Sequence, residues 1–379
     1  MSNLSLWERE SFYSTQDVII VGGGFMGLWT ALSLKQKNRL LKITILEKNI
    51  TPLGASTRNA GFSCFGSPTE ILSDIENLGL NETLEIVKMR FDGIEKIKNT
   101  FTAKQIDLDN CGGYELINKE YKYFNQLDEK IEWLNQQLKV ITEKDQTFVR
   151  RDDLIAKKGL IGFDAMIENK LESGIHSGKL VSALIQQVQE SGVSILNGIE
   201  VKNWEKNLEG IQVYTQQQIK FTSNQVLLCT NAFGNSIAPE LNITPARGQV
   251  IVTSEIPNLK LKGTFHFDEG FYYFRNLDGK ILIGGARNED FEGERTTDIS
   301  GSDLIKNKLM EFLQKHIEPS YQYTIENHWS GIMGFTENKK PVISKLDDHV
   351  YAVIACNGMG VALTPIMGGK AADMLLLYF

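Results

Sequence analysis

The sequence predicts an α/β protein that opens with a βαβ unit of a parallel sheet and adds a second, mixed-sheet α+β domain. The run Asp17–Val21 is rich in β-branched residues, which is typical of a strand buried on both faces, and a glycine-rich turn follows it. Farther along, the side chains of Thr264–Gly285 alternate in type as in a strand, and this stretch contains Asp278-Gly279, a strong hairpin signal. The length of 379 residues allows about two to three domains. Ordinary contents of 42% hydrophobic and 23% charged residues exclude a fibrous or disordered chain.

The charge balance and the cysteines narrow the class of protein further. Forty Lys and Arg against 47 Asp and Glu give a net charge of −7, so attraction to nucleic acid phosphates is not expected. The cysteines Cys64, Cys111, Cys229 and Cys356 lie far apart without a CxxC pair. Their spacing predicts neither a zinc site nor a disulfide framework and favours a reducing compartment. Since no signal peptide or membrane span is recognisable, we expect a cytoplasmic protein.

The first βαβ unit carries a dinucleotide-binding pattern. The turn reads GGGFMG and matches GxGxxG at Gly22, Gly24 and Gly27. These glycines allow a tight turn, a close approach of backbone to pyrophosphate, and close packing of helix against strand. A second strand, Lys42–Leu46, ends at Glu47, where a carboxylate can accept hydrogen bonds from a ribose hydroxyl. The acid disfavours NADP and leaves FAD or NAD as the ligand.

The segment after the second strand favours FAD. Thr51–Ser63 is a loop of small residues and glycines, so its backbone can approach a flat ligand, and Arg58 offers a planar set of donors. Together with the GGGFMG turn, this loop resembles the FAD-dependent D-amino-acid-oxidase superfamily (glycine and sarcosine oxidase type), nearest to the γ-glutamylputrescine oxidoreductase-like branch. Further matches are the PxRGQ turn at Pro245–Val250 and the closing GxGxxxxP element at Gly358–Pro365.

The resemblance implies a GR2-type FAD-binding Rossmann-like domain and a mixed-sheet α+β substrate domain, both discontinuous. We assign residues 1–67, 151–240 and 325–379 to the FAD-binding domain, and residues 68–150 and 241–324 to the substrate-binding domain. It further implies non-covalent FAD, because Gly331–Asn338, where some members carry a flavin-bound cysteine, contains none. The predicted cofactor contacts are Gly22, Gly24, Gly27, Glu47, Lys48, Ser56, Arg58, Asn59, Ala60, Gly61, Thr230, Asn231, Gly331, Gly358, Met359, Gly360 and Val361.

Candidate catalytic residues lie in the predicted hairpin. Alternate residues of a strand face opposite sides, so Tyr272 or Tyr273 is expected to face the flavin, and His266 is the histidine nearest the pocket. Arg275 could hold a substrate carboxylate or be an ordinary surface residue of the strand. Amine oxidation by flavin strictly requires no side-chain base, so no catalytic triad or metal site is expected.

The predicted activity is oxidation of the C–N bond of an amine or N-substituted amino compound by hydride transfer to FAD. Oxygen or another acceptor would then take the electrons. An amine is preferred over glycine or a D-amino acid because no arginine occurs at Gly331–Gly334, where simple amino-acid oxidases of the superfamily bind the substrate carboxylate. Three alternatives remain: an oxidase or dehydrogenase of a small amino acid, an NAD-binding dehydrogenase, and a non-catalytic flavin-binding protein.

Overall fold

The computed structural model describes residues 4–377, so the outermost residues of the predicted segments 1–67 and 325–379 lie outside the described residues. The chain forms two compact units. The first unit is Met1–Thr57, Gly178–Ala246 and Met333–Phe379, and the second is Arg58–Ser177 and Arg247–Ile332. Both units are therefore assembled from separated segments. Residues 58–67, 151–177 and 325–332, assigned above to the FAD-binding domain, lie in the second unit, whereas residues 241–246, assigned to the substrate-binding domain, lie in the first.

Helices occur in both units. They are α1 (Leu6–Ser11), α2 (Phe25–Lys37), α3 (Ala55–Arg58), α4 (Pro68–Leu78), α5 (Leu80–Thr100), α6 (Ala103–Ile106), α7 (Leu127–Thr142), α8 (Ser177–Glu190), α9 (Asp303–His316) and α10 (Gly360–Leu376). No helix among the described residues is long and apolar enough to span a membrane.

Strands occur between these helices and in two longer consecutive series, over residues 194–285 and 325–354. They are β1 (Gln16–Val21), β2 (Ile43–Glu47), β3 (Phe62–Ser63), β4 (Gly113–Ile117), β5 (Phe148–Arg150), β6 (Ala165–Asn169), β7 (Ser173–Gly174), β8 (Ser194–Asn197), β9 (Val201–Asn207), β10 (Gly210–Thr215), β11 (Lys220–Leu228), β12 (Thr244–Thr253), β13 (Thr264–Phe267), β14 (Tyr272–Leu277), β15 (Lys280–Gly285), β16 (Ile325–Phe335), β17 (Val342–Asp347) and β18 (Val350–Ile354).

The first unit is built around a mainly parallel sheet in the order β17-β18-β11-β1-β2-β8. Strand β1 is parallel to β11 on one side and to β2 on the other. All five residues of β2 are buried, as are Val18–Val21 of β1, which is why these strands are continuous apolar runs. The predicted βαβ unit is therefore confirmed as β1, α2 and β2.

The second unit contains a mixed sheet in the order β16-β12-β15-β14-β13-β4-β6-β5. One face of this sheet packs on α9 through a core that includes Phe265, Phe274, Ile283 and Phe312. The predicted hairpin is confirmed as β14 and β15, which pair antiparallel from Tyr272↔Gly285 to Leu277↔Lys280. Its turn residues Asp278 and Gly279 have φ of +53° and +80°, which explains the Asp-Gly pair.

Candidate FAD and substrate sites

In the first unit, the carboxyl ends of three neighbouring parallel strands bring the predicted cofactor residues to one edge. The register pairs Val21 of β1 with Leu46 of β2 and with Leu228 of β11. The glycine turn, Glu47-Lys48 and Thr230-Asn231 follow these strands directly. Strand order reverses at β1, and such a crevice is where open α/β sheets bind nucleotides.

The glycine turn is held by contacts that exclude side chains. Gly22 has a φ of +113°, and a Cβ there would lie 2.7 Å from the Cys229 carbonyl oxygen. A Cβ on Gly27 would overlap the Gly22 carbonyl oxygen, so α2 can pack against β1 only with glycine here. Gly24 is the N-cap of α2 and provides no side-chain cap. The N–H groups of the first turn of α2 are therefore suited to binding a pyrophosphate.

Glu47 and Ser56 both accept hydrogen bonds from the backbone of the glycine turn or of the helix that follows it. The Glu47 carboxylate, which is 7% exposed, accepts hydrogen bonds from the Gly23 N–H at 2.9 Å and from the Asn49 backbone and side-chain N–H groups, both at 3.0 Å. Ser56 Oγ accepts a hydrogen bond from the Phe25 N–H at 2.9 Å. Because a carboxylate has about four acceptor positions, Glu47 can also accept a bond from a ribose hydroxyl.

The other predicted residues of the first unit fall into two groups. After β11, the Thr230 hydroxyl oxygen is buried without a hydrogen-bond partner in the described part of the chain, and Asn231 has a φ of +47°. Lys48 Nζ lies 3.6 Å from the centre of the Phe233 ring. The second group, Gly358, Met359, Gly360 and Val361, forms the start of α10, whose N-cap Met359 makes no side-chain cap. An orphaned hydroxyl and two helix N-termini whose N-cap residues make no side-chain cap fit a ligand that carries phosphates and hydroxyls.

In the second unit, the loop residues Arg58 to Gly61 are tied to two other segments. Arg58 Nη1 donates to the Ser330 carbonyl at 2.8 Å, and the Trp329 indole N–H donates to the Arg58 carbonyl at 3.0 Å. Asn59 Oδ1 accepts hydrogen bonds from the Gly61 N–H at 2.9 Å and from the Ser177 hydroxyl at 2.5 Å. The predicted residues Arg58, Asn59 and Gly331 are thus brought together, since a Cβ on Gly331 would lie 2.9 Å from that of Arg58.

The sheet places Tyr272 and Tyr273 on opposite faces. Tyr272 stacks on Phe312 in the core at 4.8 Å between ring centres, and its hydroxyl donates to Glu289 at 3.2 Å. Tyr273 lies on the other face, where its ring contacts that of Phe62 at 5.8 Å. Burial raises the pKa of Tyr273 to about 12. Of the two tyrosines, Tyr273 is therefore the one on the face that the loop segment around Phe62 covers.

His266 lies beside Tyr273 on this face and is paired with a carboxylate. The register aligns Glu115, His266 and Tyr273 in one row across β4, β13 and β14. His266 Nε2 is 2.6 Å from Glu172 Oε1, to which the Thr264 hydroxyl also donates at 2.7 Å. Burial alone would lower the pKa of His266, but the charge and hydrogen bond of Glu172, helped by Glu115 and Glu70, raise it to about 9.

Arg275 is buried and bonded to backbone. It is 7% exposed, so the alternative of a surface arginine does not describe it. Its Nη1 donates to the Gly61 carbonyl at 2.5 Å and to the Ile175 carbonyl at 3.0 Å. Desolvation by burial lowers the pKa of this guanidinium. Arg275 thus ties the glycine-rich loop to the residue that follows β7.

Three charged residues around this face were not singled out from the sequence. Glu172 and Glu115 are 2% and 1% exposed, and burial raises the pKa of Glu115 to about 7 despite hydrogen bonds from Thr69 and Ser67. The half-buried Arg287 has its guanidinium 5.0 Å from the centre of the Phe291 ring, and burial lowers the pKa of this guanidinium. For Glu115 the available signal was an acid inside an apolar strand, the GYELI sequence of β4, whereas Glu172 lies between β6 and β7 and had no such signal.

These features define a dinucleotide-binding protein: a parallel sheet, a glycine turn at a helix N-terminus, and a carboxylate at the end of the second strand. The family model described as FAD dependent oxidoreductase (DAO) matches residues 17–374. The chain belongs to this family and is an FAD-dependent oxidoreductase. Family membership favours FAD over NAD as its cofactor.

Similar proteins agree with this assignment. The γ-glutamylputrescine oxidoreductase of Escherichia coli K12 is 26% identical over 95% of this chain and 84% of its own length. The L-2-hydroxyglutarate dehydrogenase of the same strain is 22% identical over 79% of this chain and 72% of its own length. Glycine oxidase from Geobacillus kaustophilus has the same fold, with a TM-score of 0.76 and 17% identity over 96% of this chain and 95% of that one. L-proline dehydrogenase from P. horikoshii gives a TM-score of 0.75 and 15% identity, over 97% and 94% of the two chains.

Proposed function

We propose that this enzyme oxidises the C–N bond of an amine or N-substituted amino compound by hydride transfer to FAD. The observation that carries the proposal is the face of the second sheet formed by Phe62, His266 and Tyr273, in which the strand arginine Arg275 is bonded to two backbone carbonyls. An arginine so engaged does not have the donors of Nη1 available for a substrate carboxylate. The resemblance to a protein named γ-glutamylputrescine oxidoreductase also supports an amine substrate.

The residues of the chain have separate tasks in this proposal. The first turn of α2 binds the pyrophosphate, and Glu47 binds a ribose hydroxyl. Aromatic rings around Tyr273 exclude water and orient the carbon chain of the amine. When bound, FAD supplies the hydride acceptor, so the protein contributes binding and orientation. Either oxygen or another small acceptor then reoxidises the enzyme.

We further propose that FAD is bound without a covalent link and that the enzyme is cytoplasmic. Burial raises the pKa of the Cys356 thiol to about 12, so this cysteine, the one closest to the start of α10, is a poor nucleophile at neutral pH. All four cysteines are free thiols, which fits a reducing compartment. Acid precipitation of the holoenzyme tests the first point: all flavin is expected in the supernatant, and yellow pellets would contradict it.

A substrate panel under anaerobic conditions tests the activity. The decrease in flavin absorbance is followed with primary and secondary amines, N-substituted amino acids, free D- and L-amino acids, and 2-hydroxy acids. We expect the fastest reduction with secondary or N-substituted amines. Reduction by 2-hydroxy acids alone would overturn C–N oxidation and favour the chemistry that the name L-2-hydroxyglutarate dehydrogenase describes.

Arg287 favours a second candidate function, the oxidation of a free amino acid. Its guanidinium lies 5.0 Å from the centre of the Phe291 ring, and burial lowers the pKa of the guanidinium, which indicates a partly desolvated cation beside aromatic rings. Such a cation could bind a substrate carboxylate. If it does, Arg287→Gln raises KM for amino acids about 10- to 100-fold, since a hydrogen bond to a charged group contributes about 1.5–3 kcal/mol. An unchanged KM would reject this candidate.

A further inference from the structure

Three buried side chains of the second unit form a cluster of metal-binding type. Cys64 follows β3, Glu172 precedes β7, and His266 is in β13; their donor atoms all lie within 4.8 Å of one another. The three residues are 6%, 2% and 6% exposed. We propose that Cys64, Glu172 and His266 bind a divalent transition-metal ion of the zinc class.

The donor set and its charge fit zinc. Thiolate, imidazole and carboxylate are the ligand types that proteins use for Zn²⁺, whereas Ca²⁺ and Mg²⁺ require oxygen donors. A metal ion would be bound by the Cys64 thiolate, the Glu172 carboxylate and the neutral His266 imidazole. The two anionic ligands then balance the two positive charges of the ion, so no further counter-ion is needed.

The ligands are supported by hydrogen bonds of the kind that orient metal ligands. The Thr264 hydroxyl donates to Glu172 Oε1 at 2.7 Å. The Gly66 backbone N–H donates to the sulfur of Cys64. Partners of this kind fix ligand orientation and adjust the affinity for the metal.

A cavity of about 10 Å³ beside the cluster offers room for a fourth ligand. Its lining includes Glu172 and His266, together with Asn169, and its volume is that of about one water molecule. The Asn169 side-chain amide nitrogen, in a residue that is 4% exposed, has no hydrogen-bond partner among the described residues. It can donate to a water in the cavity, which would complete four-fold coordination by three protein ligands and one water.

The competing explanation is an ion pair that needs no metal, since His266 and Glu172 are already 2.6 Å apart. The two explanations differ in their use of Cys64. An ion pair does not depend on the thiol, whereas a metal bound by three protein ligands loses one of them when the thiol is removed. The metal would also tie the segment after the glycine-rich loop to β13, and this role does not depend on the substrate.

The experiment measures zinc in the full-length, flavin-loaded enzyme by mass spectrometry after zinc loading and gel filtration. We expect one zinc ion per chain in the wild type and in Cys111→Ser, the matched control at a thiol outside the cluster. Cys64→Ser should lower zinc affinity by more than about 100-fold, because losing an outer partner alone costs about 10- to 100-fold. Thr264→Val, which removes such a partner, should lower it about 10-fold, with FAD content unchanged.

Two results would overturn the proposal. One is a wild-type enzyme that retains no stoichiometric zinc, and the other is equal retention by wild type and Cys64→Ser. Should Cys64→Ser fail to fold, X-ray absorption of the zinc-loaded wild type decides. One sulfur at about 2.3 Å with nitrogen and oxygen at about 2.0–2.2 Å supports the site, and a shell without sulfur rejects it.

Discussion

The glycine turn of the first unit and the sheet face of the second unit are built in different ways. In the first unit, the turn, α2 and Glu47 come from one continuous stretch of the chain, and the contact between Gly23 and Glu47 spans 24 residues. In the second unit, His266 meets Glu172 across 94 residues, and Arg275 meets Gly61 across 214. A local motif therefore suffices to form the glycine turn, whereas the sheet face depends on strand register.

The largest expected effect tests the local site. Gly24→Val should abolish FAD retention, because the side chain would occupy the space that the pyrophosphate needs. Gly24 has a φ of −78°, which valine can adopt, so the variant should fold, although its Cβ would lie 2.9 Å from Ser56 Oγ. The ratio of flavin to protein absorbance measures retention.

The control for this change is Leu208→Val, at a fully exposed side chain between β9 and β10 and outside the predicted cofactor contacts. It should retain FAD as the wild type does. Full FAD occupancy in Gly24→Val would show that the pyrophosphate binds elsewhere. The local glycine motif would then not form the FAD site, contrary to the comparison drawn between the two units.

The second prediction concerns the non-local site. Glu172→Ala should lower the free energy of unfolding by about 1–3 kcal/mol, because the buried His266 imidazole loses its hydrogen-bond partner. The Thr264 hydroxyl loses its 2.7 Å hydrogen bond as well. Denaturant unfolding of the metal-free enzyme measures this loss. The exposed Glu120→Ala is the control and should change stability little, so equal effects of the two variants would count against the buried pair.

The distinction between a local motif and a site assembled by strand register explains what could be predicted from the sequence. The βαβ unit and the Asp-Gly hairpin were predicted because neighbouring residues specify them. The cluster of Cys64, Glu172 and His266 was not, because its members lie after β3, before β7 and in β13, three segments that are distant in the chain. The cysteine spacing, which predicted no zinc site, detects only ligands that are close in the chain.

The third prediction concerns Glu47 and has a smaller effect. In Glu47→Gln, one amide oxygen replaces two carboxylate oxygens that accept three hydrogen bonds from Gly23 and Asn49. Losing a bond to a charged group costs about 1.5–3 kcal/mol, so FAD affinity should fall about 10- to 100-fold. Once FAD is saturating, the rate of flavin reduction should equal that of the wild type. Loss of turnover with unchanged FAD affinity would place Glu47 away from the ribose.

The smallest effects come from two neighbours in β14 and compare the two faces of one strand. Tyr272→Phe removes the hydrogen bond from the tyrosine hydroxyl to Glu289 and should lower the free energy of unfolding by about 0.5–1.5 kcal/mol. It should not change kcat/KM, because Tyr272 packs in the core against Phe312. Tyr273→Phe keeps the ring beside Phe62 and should leave stability nearly unchanged while lowering kcat/KM a few-fold. Denaturant unfolding and steady-state kinetics on the best amine of the panel measure both quantities for both variants. If the kinetic loss falls on Tyr272→Phe instead, the substrate binds on the opposite face of the sheet from the one we assign.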